Sequence, residues 1–260
     1  MRDYIYNKTI KNKVPNKQKL ESWLDQFYNW MFTNYNYDCF ADFLNTEKAL
    51  KSELENIIST VVSKEKAKYK TVLFFNSIDS LYNLLESDLQ KYNDSNLIIQ
   101  FKSEVLSCYP GFLAVFIYRI SHILVELNIP MLPRIASLYA YRLTGIDIDP
   151  HAKIGSQFII FHGLGVVIGS TTIIGNNVKI YQGVILGESQ TNLKQTQKRH
   201  PTIEDDVIIC ANASVLGGKT RIGRQSIIGH NVVITSSIKE KSIVELTSSY
   251  SIRIKDELTK

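Results

Sequence analysis

Beyond Gly145 an aliphatic residue recurs at every sixth position, and this period constrains the fold more than any other feature of the chain. Ile148, Ile154 and Ile160 form a first run, and Ile168, Ile174, Ile180 and Leu186 a second. Ile203, Ile209 and Val215 form a third, and Ile222, Ile228 and Ile234 a fourth. Helical side chains repeat at about 3.6 residues and strand side chains at 2, so a period of six is neither. It fits a short strand and a turn making one side of a triangular coil, with the aliphatic side chain inside the prism. Glycine follows the aliphatic residue at Gly155, Gly169, Gly175, Gly187, Gly223 and Gly229. These glycines, with Asn176, Asn177 and Asn231, are the expected corner residues, because a positive φ costs them little. Three hexapeptides close one coil and coils stack through parallel hydrogen bonds. The run from 148 to 234 allows about four coils.

The register breaks three times. Two extra residues lie between Ile160 and Ile168, and His162 sits among them. Between Leu186 and Ile203 the chain leaves the coil in a polar excursion, GESQTNLKQTQKRHPT, that ends in Arg199-His200-Pro201. One residue is added near Gly217-Gly218-Lys219. Long loops on a rigid solenoid are where function concentrates.

The first half has a different period. Leu20, Trp23, Leu24, Phe27, Tyr28 and Met31 form the stripe of an amphipathic helix. Further helices are expected at about 40–63, 78–92, 104–127 and 131–143, with Asn93-Asp94-Ser95-Asn96 as a turn between two of them and Pro130 and Pro133 bracketing entry to the last. The fold class is therefore α+β: an α-helical domain over 1–143, a parallel β-helix over 144–240 with an extruded loop at 187–202, and a short tail over 241–260. Lys8, Lys11, Lys13, Lys17 and Lys19 read as a solvated or frayed terminus. Gly111 to Leu127 is the most membrane-like stretch, but Arg119 and His122 interrupt it and it is shorter than the ~20 residues of a span. It is expected to be a buried helix, with no membrane involved.

A net charge of +5 is too mild for a nucleic-acid protein, though it suits an anionic ligand. Cys39, Cys108 and Cys210 are scattered, with neither a disulfide framework nor metal-ligand spacing. MRDYIYNKTI lacks the apolar core of a signal peptide. The expected compartment is the cytoplasm, and no metal is expected.

Several motifs in order carry a resemblance. They are G-I-D-I-D-P-H-A-K-I-G (145–155), F-H-G-L-G-V-V-I-G (161–169), V-K-I-Y-Q-G-V-I-L-G (178–187), K-R-H-P-T-I (198–203) and S-V-L-G-G-K-T-R-I-G (214–223). With C-Y-P-G-F (108–112) and Y-R-I-S-H (118–122), they closely resemble serine O-acetyltransferases of the hexapeptide-repeat superfamily. The resemblance covers about 95–260 well and 1–95 only in helical character. It implies a left-handed β-helix, acetyl-CoA as co-substrate and a small-molecule acceptor.

The resemblance also implies roles. A hydroxyl attacking a thioester needs a base near neutral pKa, and His is the usual choice; by resemblance His162 is that base. Asp147, 15 residues earlier and nearly one coil away, would hold the imidazole tautomer and stabilise the imidazolium. Arg199 and His200 would face the acceptor's carboxylate, which a guanidinium suits. Gly187, Ala211, Gly218 and His230 would line the CoA path between neighbouring prisms of a homotrimer, two of which pair in many relatives. The donors for the oxyanion are not identified by the sequence. His122 and His151 are assigned structural roles.

Departures from the family pattern bear on the acceptor. The residue before the family's catalytic His is usually Asp and helps bind the acceptor's ammonium; here it is Phe161. A second family carboxylate, in an Asp-Pro pair, has no counterpart; Asp94, Ser95 or Asn96 stands at or near its place. The family's Glu in V-I-G-E-T is Ser170 and its His in D-I-H-P is Asp149. Two acceptors therefore stay open: serine, giving O-acetylserine for cysteine synthesis, or another small carboxylate-bearing alcohol. A γ-type carbonic anhydrase would need a His pair five apart, which the prism lacks. Docking to cysteine synthase is not expected, because relatives that dock use a tail ending in Ile and this chain ends D-E-L-T-K.

Overall fold

The computed structural model describes residues 1–11, 14–33, 37–95, 101–189 and 198–247. Eight helices come first among them: α1 (Arg2–Lys11), α2 (Lys17–Phe32), α3 (Phe40–Ser59), α4 (Lys64–Asn76), α5 (Ile78–Ser95), α6 (Lys102–Cys108), α7 (Pro110–Glu126) and α8 (Leu132–Thr144). The Asn16 side chain caps α2 by accepting from the Gln18 N–H at 3.0 Å. The stripe expected on α2 is the buried one: Leu20, Trp23, Leu24 and Phe27 face a core that includes Phe74 and Phe116.

The helical expectations need four corrections. Helices α1 and α4 have no counterpart in the sequence reading. Helix α5 runs through Asn93 and Asp94 to Ser95, so the turn does not begin where the polar run does. The single helix expected at 104–127 is two, because Tyr109 is extended (φ −95°, ψ 106°) and Pro110 opens the next helix. These two helices meet at 78°. Among the described residues no single helix is long and apolar enough to cross a membrane.

Gly145 ends α8 in the left-handed region (φ 70°), and the solenoid starts at once. The first coil holds β1 (Asp147–Ile148), β2 (Lys153–Ile154) and β3 (Ile159–Phe161). The second holds β4 (Val167–Ile168), β5 (Ile173–Ile174) and β6 (Lys179–Tyr181). The third holds β7 (Ile185–Gly187), β8 (Thr202–Ile203) and β9 (Ile208–Ile209), and the fourth β10 (Ser214–Leu216), β11 (Arg221–Ile222) and β12 (Ile227–Ile228). A partial fifth coil adds β13 (Val233–Ile234) and β14 (Ile243–Val244), so the parallel stack runs past residue 240.

Three parallel faces result: β1-β4-β7-β10-β13, β2-β5-β8-β11 and β3-β6-β9-β12-β14. Register follows the hexapeptides, with Ile148 opposite Ile168, Ile168 opposite Leu186 and Leu186 opposite Val215. Of the thirteen aliphatic positions read from the period, all are buried except Ile154, which is partly so. The helices seat on the first coil at β3 and β1.

The corners follow the expectation at Asn177 and Asn231 but not at Asn176 or the glycines. Positive φ falls on Gln157, Asn177, Asp206, Asn212, Gln225 and Asn231, and not on the glycines that follow the aliphatic residues. Those glycines answer to close stacking. A Cβ at Gly155 would lie 2.7 Å from the Gly175 carbonyl oxygen of the next coil.

A buried ion pair joins the two domains. Asp88 of α5 is 0 % exposed, and Arg119 of α7 meets it through Nε and Nη2, each at 3.1 Å. Arg119 also donates to the carbonyls of Ile154 and Gly155 at 2.6 Å, and Asp88 accepts from the Phe158 N–H at 2.8 Å. Arg119 Nη1 and Nη2 and one Asp88 oxygen thus reach the first coil, while Arg119 Nε and the other Asp88 oxygen are satisfied within the pair.

Candidate active site

A cleft of about 380 Å³ opens on the first face of the prism. Arg134 of α8, Asp147 and Asp149 of the first coil, Gly169 and Ser170 of the second, Gly187 and Glu188 of the third, and Arg199 and His200 of the returning loop line it. Four residues named from the sequence, Asp147, Gly187, Arg199 and His200, therefore share one cavity.

Asp147 points out of β1, in register with Val167. Arg134 donates to it through Nη1 at 3.0 Å and Nη2 at 3.4 Å, and Nη1 also donates to the Ser137 hydroxyl at 3.1 Å. No local signal in the sequence marks Arg134, since a helix and a tight turn separate it from its partner.

The returning loop is anchored by Thr171, which sequence reasoning also missed. Its hydroxyl accepts from the backbone N–H groups of Arg199 and His200, each at 2.9 Å. Its own N–H donates to His200 Nδ1 at 3.1 Å. Lys198 donates to the carbonyls of Thr171 at 2.9 Å and His200 at 2.8 Å; only its place in K-R-H-P could have drawn attention to it. Arg199 reaches Glu188 at 3.3 Å and the Ser170 hydroxyl at 3.4 Å, while its Nε is buried with no partner among the described residues. His200 is 6 % exposed. Burial first, and then the Arg199 charge, lower its pKa below the ordinary 6.5, so it is neutral at pH 7.

His162 stands apart from this cleft. It follows β3 at the corner leading to β4, is exposed, and holds φ at 59°, a left-handed conformation uncommon for His. No hydrogen bond or ion pair joins it to any described residue, so the stacking that was expected to pair it with Asp147 does not do so within one chain. Ala211 and His230 follow the same corner upward, with the Asn231 N–H donating to the Ala211 carbonyl at 3.0 Å. Gly187 and Gly218 belong to the opposite edge of the face. A Cβ on Gly218 would collide with the Lys198 carbonyl, so its missing side chain makes room for the returning loop.

The predicted residues thus divide between two edges. His162, Ala211 and His230 lie along one edge, and Gly187, Gly218, Arg199 and His200 along the other. The extended chain from Gly165 to Gly169 separates them by on the order of 13 Å, from about 3.3 Å per residue. Phe161 is 7 % exposed, stacked on Tyr181 at 5.3 Å and edge-on to Tyr92 at 5.7 Å. Asp94 accepts from the Gln90 amide at 3.0 Å; Asn96 lies outside the described residues.

A left-handed prism of hexapeptide coils, with an Arg-His pair set in a cleft on its first face, defines a hexapeptide-repeat acyltransferase; residues 190–197 of the loop expected at 187–202 lie outside the described residues. No family model matches the chain. The plasmid-encoded serine acetyltransferase of Synechococcus elongatus is 42% identical over 189 residues, 70% of this chain and 59% of that protein. The serine acetyltransferase of Bacillus licheniformis is 42% identical over 163 residues, 63% of this chain and 74% of that protein. The match thus spans about three fifths of the first relative's length and about three quarters of the second's. The crystal structure of Entamoeba histolytica serine acetyltransferase isoform 3 in complex with cysteine superposes with a TM-score of 0.81 at 31% identity, covering 93% of this chain and 85% of that one. The chain belongs to the serine acetyltransferase family.

Proposed function

We propose that this chain transfers the acetyl group of acetyl-CoA to the hydroxyl of serine, giving O-acetylserine for cysteine biosynthesis. The observation that carries this reading is the shared cleft of Asp147, Arg199 and His200 in a chain of this family. Arg199 lines the cleft and offers its guanidinium fork to the acceptor's carboxylate, and the E. histolytica relative was crystallised with cysteine, an amino acid of serine's size.

His162 is the general base in this reading. Of the two candidate histidines, His200 has its Nδ1 occupied by Thr171, whereas both nitrogens of His162 are free of partners among the described residues. The base takes the serine hydroxyl proton as the oxygen attacks the thioester carbonyl, then returns it to the departing CoA sulfur. Asp147 steadies the resulting imidazolium. A carboxylate accepts about four hydrogen bonds, and Arg134 supplies two.

The separation of His162 from Arg199 and His200 supports an active site between subunits. One serine cannot span on the order of 13 Å, but a neighbouring prism can bring the loop edge of one chain to the His162 edge of the next. A closed trimer does this three times, and exposed Val167, Ile185 and Val233 on the first face suit such packing. Acetyl-CoA would run along Gly187, Ala211, Gly218 and His230, and two trimers would pair. We place the enzyme in the cytoplasm.

The second reading, a small carboxylate-bearing alcohol without a free ammonium, is favoured by Phe161 alone. Its ring is packed between tyrosines beside the base, where a carboxylate would meet the amine. Release of CoA thiol with a panel of amino and hydroxy acids decides. Serine turnover at ordinary kcat/KM supports the first reading. Turnover confined to hydroxy acids or N-blocked serine supports the second, and no thiol release with any member refutes both.

A further inference from the structure

We propose that Thr171 is a positioning residue that locks His200 as the neutral tautomer protonated on Nε2, so that His200 meets the acceptor as a hydrogen-bond donor only. This rests on the reading of the cleft as the acceptor site. A backbone N–H can only donate, and the Thr171 N–H lies 3.1 Å from His200 Nδ1. Nδ1 must therefore present a lone pair.

The Thr171 hydroxyl makes the same demand. It lies 2.9 Å from Nδ1, and its two lone pairs are already used by the N–H groups of Arg199 and His200. Only its hydrogen is left for Nδ1. Two donors thus converge on one ring nitrogen, and the single proton of a neutral imidazole sits on Nε2. Burial and the charges of Arg199 and Lys198 oppose a second proton, and the carboxylates of Glu188 and Asp149 do not outweigh them.

The ring is also fixed in place. A Cβ on Gly169 would collide with His200 Cδ2 and Nε2, so the Nε2 edge lies against a floor that only glycine allows. Nε2 has no protein partner among the described residues, and Gly169 and His200 both line the cleft. A proton held there can be given to a carboxylate oxygen in a hydrogen bond, but it leaves no nitrogen to accept the hydroxyl proton. The two histidines are thereby sorted, His200 as donor and His162 as base.

Ring 15N chemical shifts, which separate protonated from bare imidazole nitrogens, test the tautomer without a variant. The wild-type protein at pH 7 is expected to show His200 with Nε2 protonated and Nδ1 bare. Thr171→Val removes the hydroxyl at nearly constant shape and orphans two backbone donors. It keeps the backbone N–H on Nδ1, so Nε2 should stay protonated, but losing the hydroxyl loosens the Arg199-His200 turn and should raise the acceptor KM by about tenfold, the scale of one lost hydrogen bond, while the acetyl-CoA KM holds and kcat changes little. Thr171→Ser, which keeps the hydroxyl, should hold the wild-type spectrum and KM. A wild-type His200 protonated on Nδ1, or cationic at pH 7, overturns the proposal, as does Thr171→Val with a wild-type acceptor KM. If Thr171→Val does not fold, the wild-type and Thr171→Ser spectra decide. Should serine and its analogues not be turned over at all, the functional reading falls while the 15N result still settles the tautomer.

Discussion

Replacing Phe161 by Asp reconstructs the carboxylate that the family usually carries before its catalytic histidine, and from sequence alone this change should improve serine turnover. The packing argues for a different first effect. Phe161 is 7 % exposed, stacked on Tyr181 and edge-on to Tyr92 where the helices seat on the first coil. Removing such a ring costs ~3–5 kcal/mol. Holding a carboxylate there raises its pKa, and each unit costs about 1.4 kcal/mol at neutral pH, so a rise of about two units adds roughly 3 kcal/mol. The sum, about 6–8 kcal/mol, rivals the ~5–15 kcal/mol of a whole domain.

The sign of the pH dependence is fixed. A carboxyl whose folded pKa is raised contributes stability that is fully present below its unfolded value near 4 and lost as pH rises through the folded value. Urea unfolding should therefore show Phe161→Asp crippled at pH 7.5 and partly recovered near pH 5, while Phe161→Leu loses only about 1 kcal/mol at either pH. A Phe161→Asp protein within about 1 kcal/mol of wild type at pH 7.5, with improved serine turnover, would refute this reasoning and place residue 161 in reach of the acceptor.

Two further predictions concern the scaffold. Arg119→Met leaves Asp88 buried without its partner and should cost about 3–5 kcal/mol at pH 7; because burial already pushes the Asp88 carboxyl up to about 6, the loss should shrink as urea unfolding is repeated at falling pH. Light scattering at working concentration should report a trimer or twice a trimer, and a monomer that still turns over serine would contradict the intersubunit site.

The solenoid was legible because a prism interior accepts one kind of side chain at one spacing. That requirement wrote Ile148, Ile168, Leu186 and Val215 into the sequence as a column before any coordinate was known. The corner chemistry was less legible. The glycines after the aliphatic residues advertise positive φ, yet the turns place it on Gln157, Asp206 and Gln225, and Gly155 and Gly218 answer to backbones of neighbouring coils that no local pattern reveals. In the helical half, α4 was hidden because its buried face, Ala67, Thr71, Phe74 and Phe75, mixes small, polar and aromatic residues. Within the site, residues at breaks of register could be named one by one, but their grouping could not. Arg134 and Thr171 join Asp147 and His200 across 13 and 29 positions respectively, contacts made only when α8 packs on the first coil and the coils stack.

The central claim is that His162 is the base for acyl transfer, with Asp147 assisting it. The most direct measurement is kcat for CoA release by His162→Ala, Asp147→Asn and wild type at saturating acetyl-CoA and acceptor, alongside the acetyl-CoA Kd of each. The account predicts that His162→Ala loses roughly two or more orders of magnitude in kcat, that Asp147→Asn loses no more than that, and that acetyl-CoA affinity barely moves in either. Full turnover by His162→Ala would contradict it.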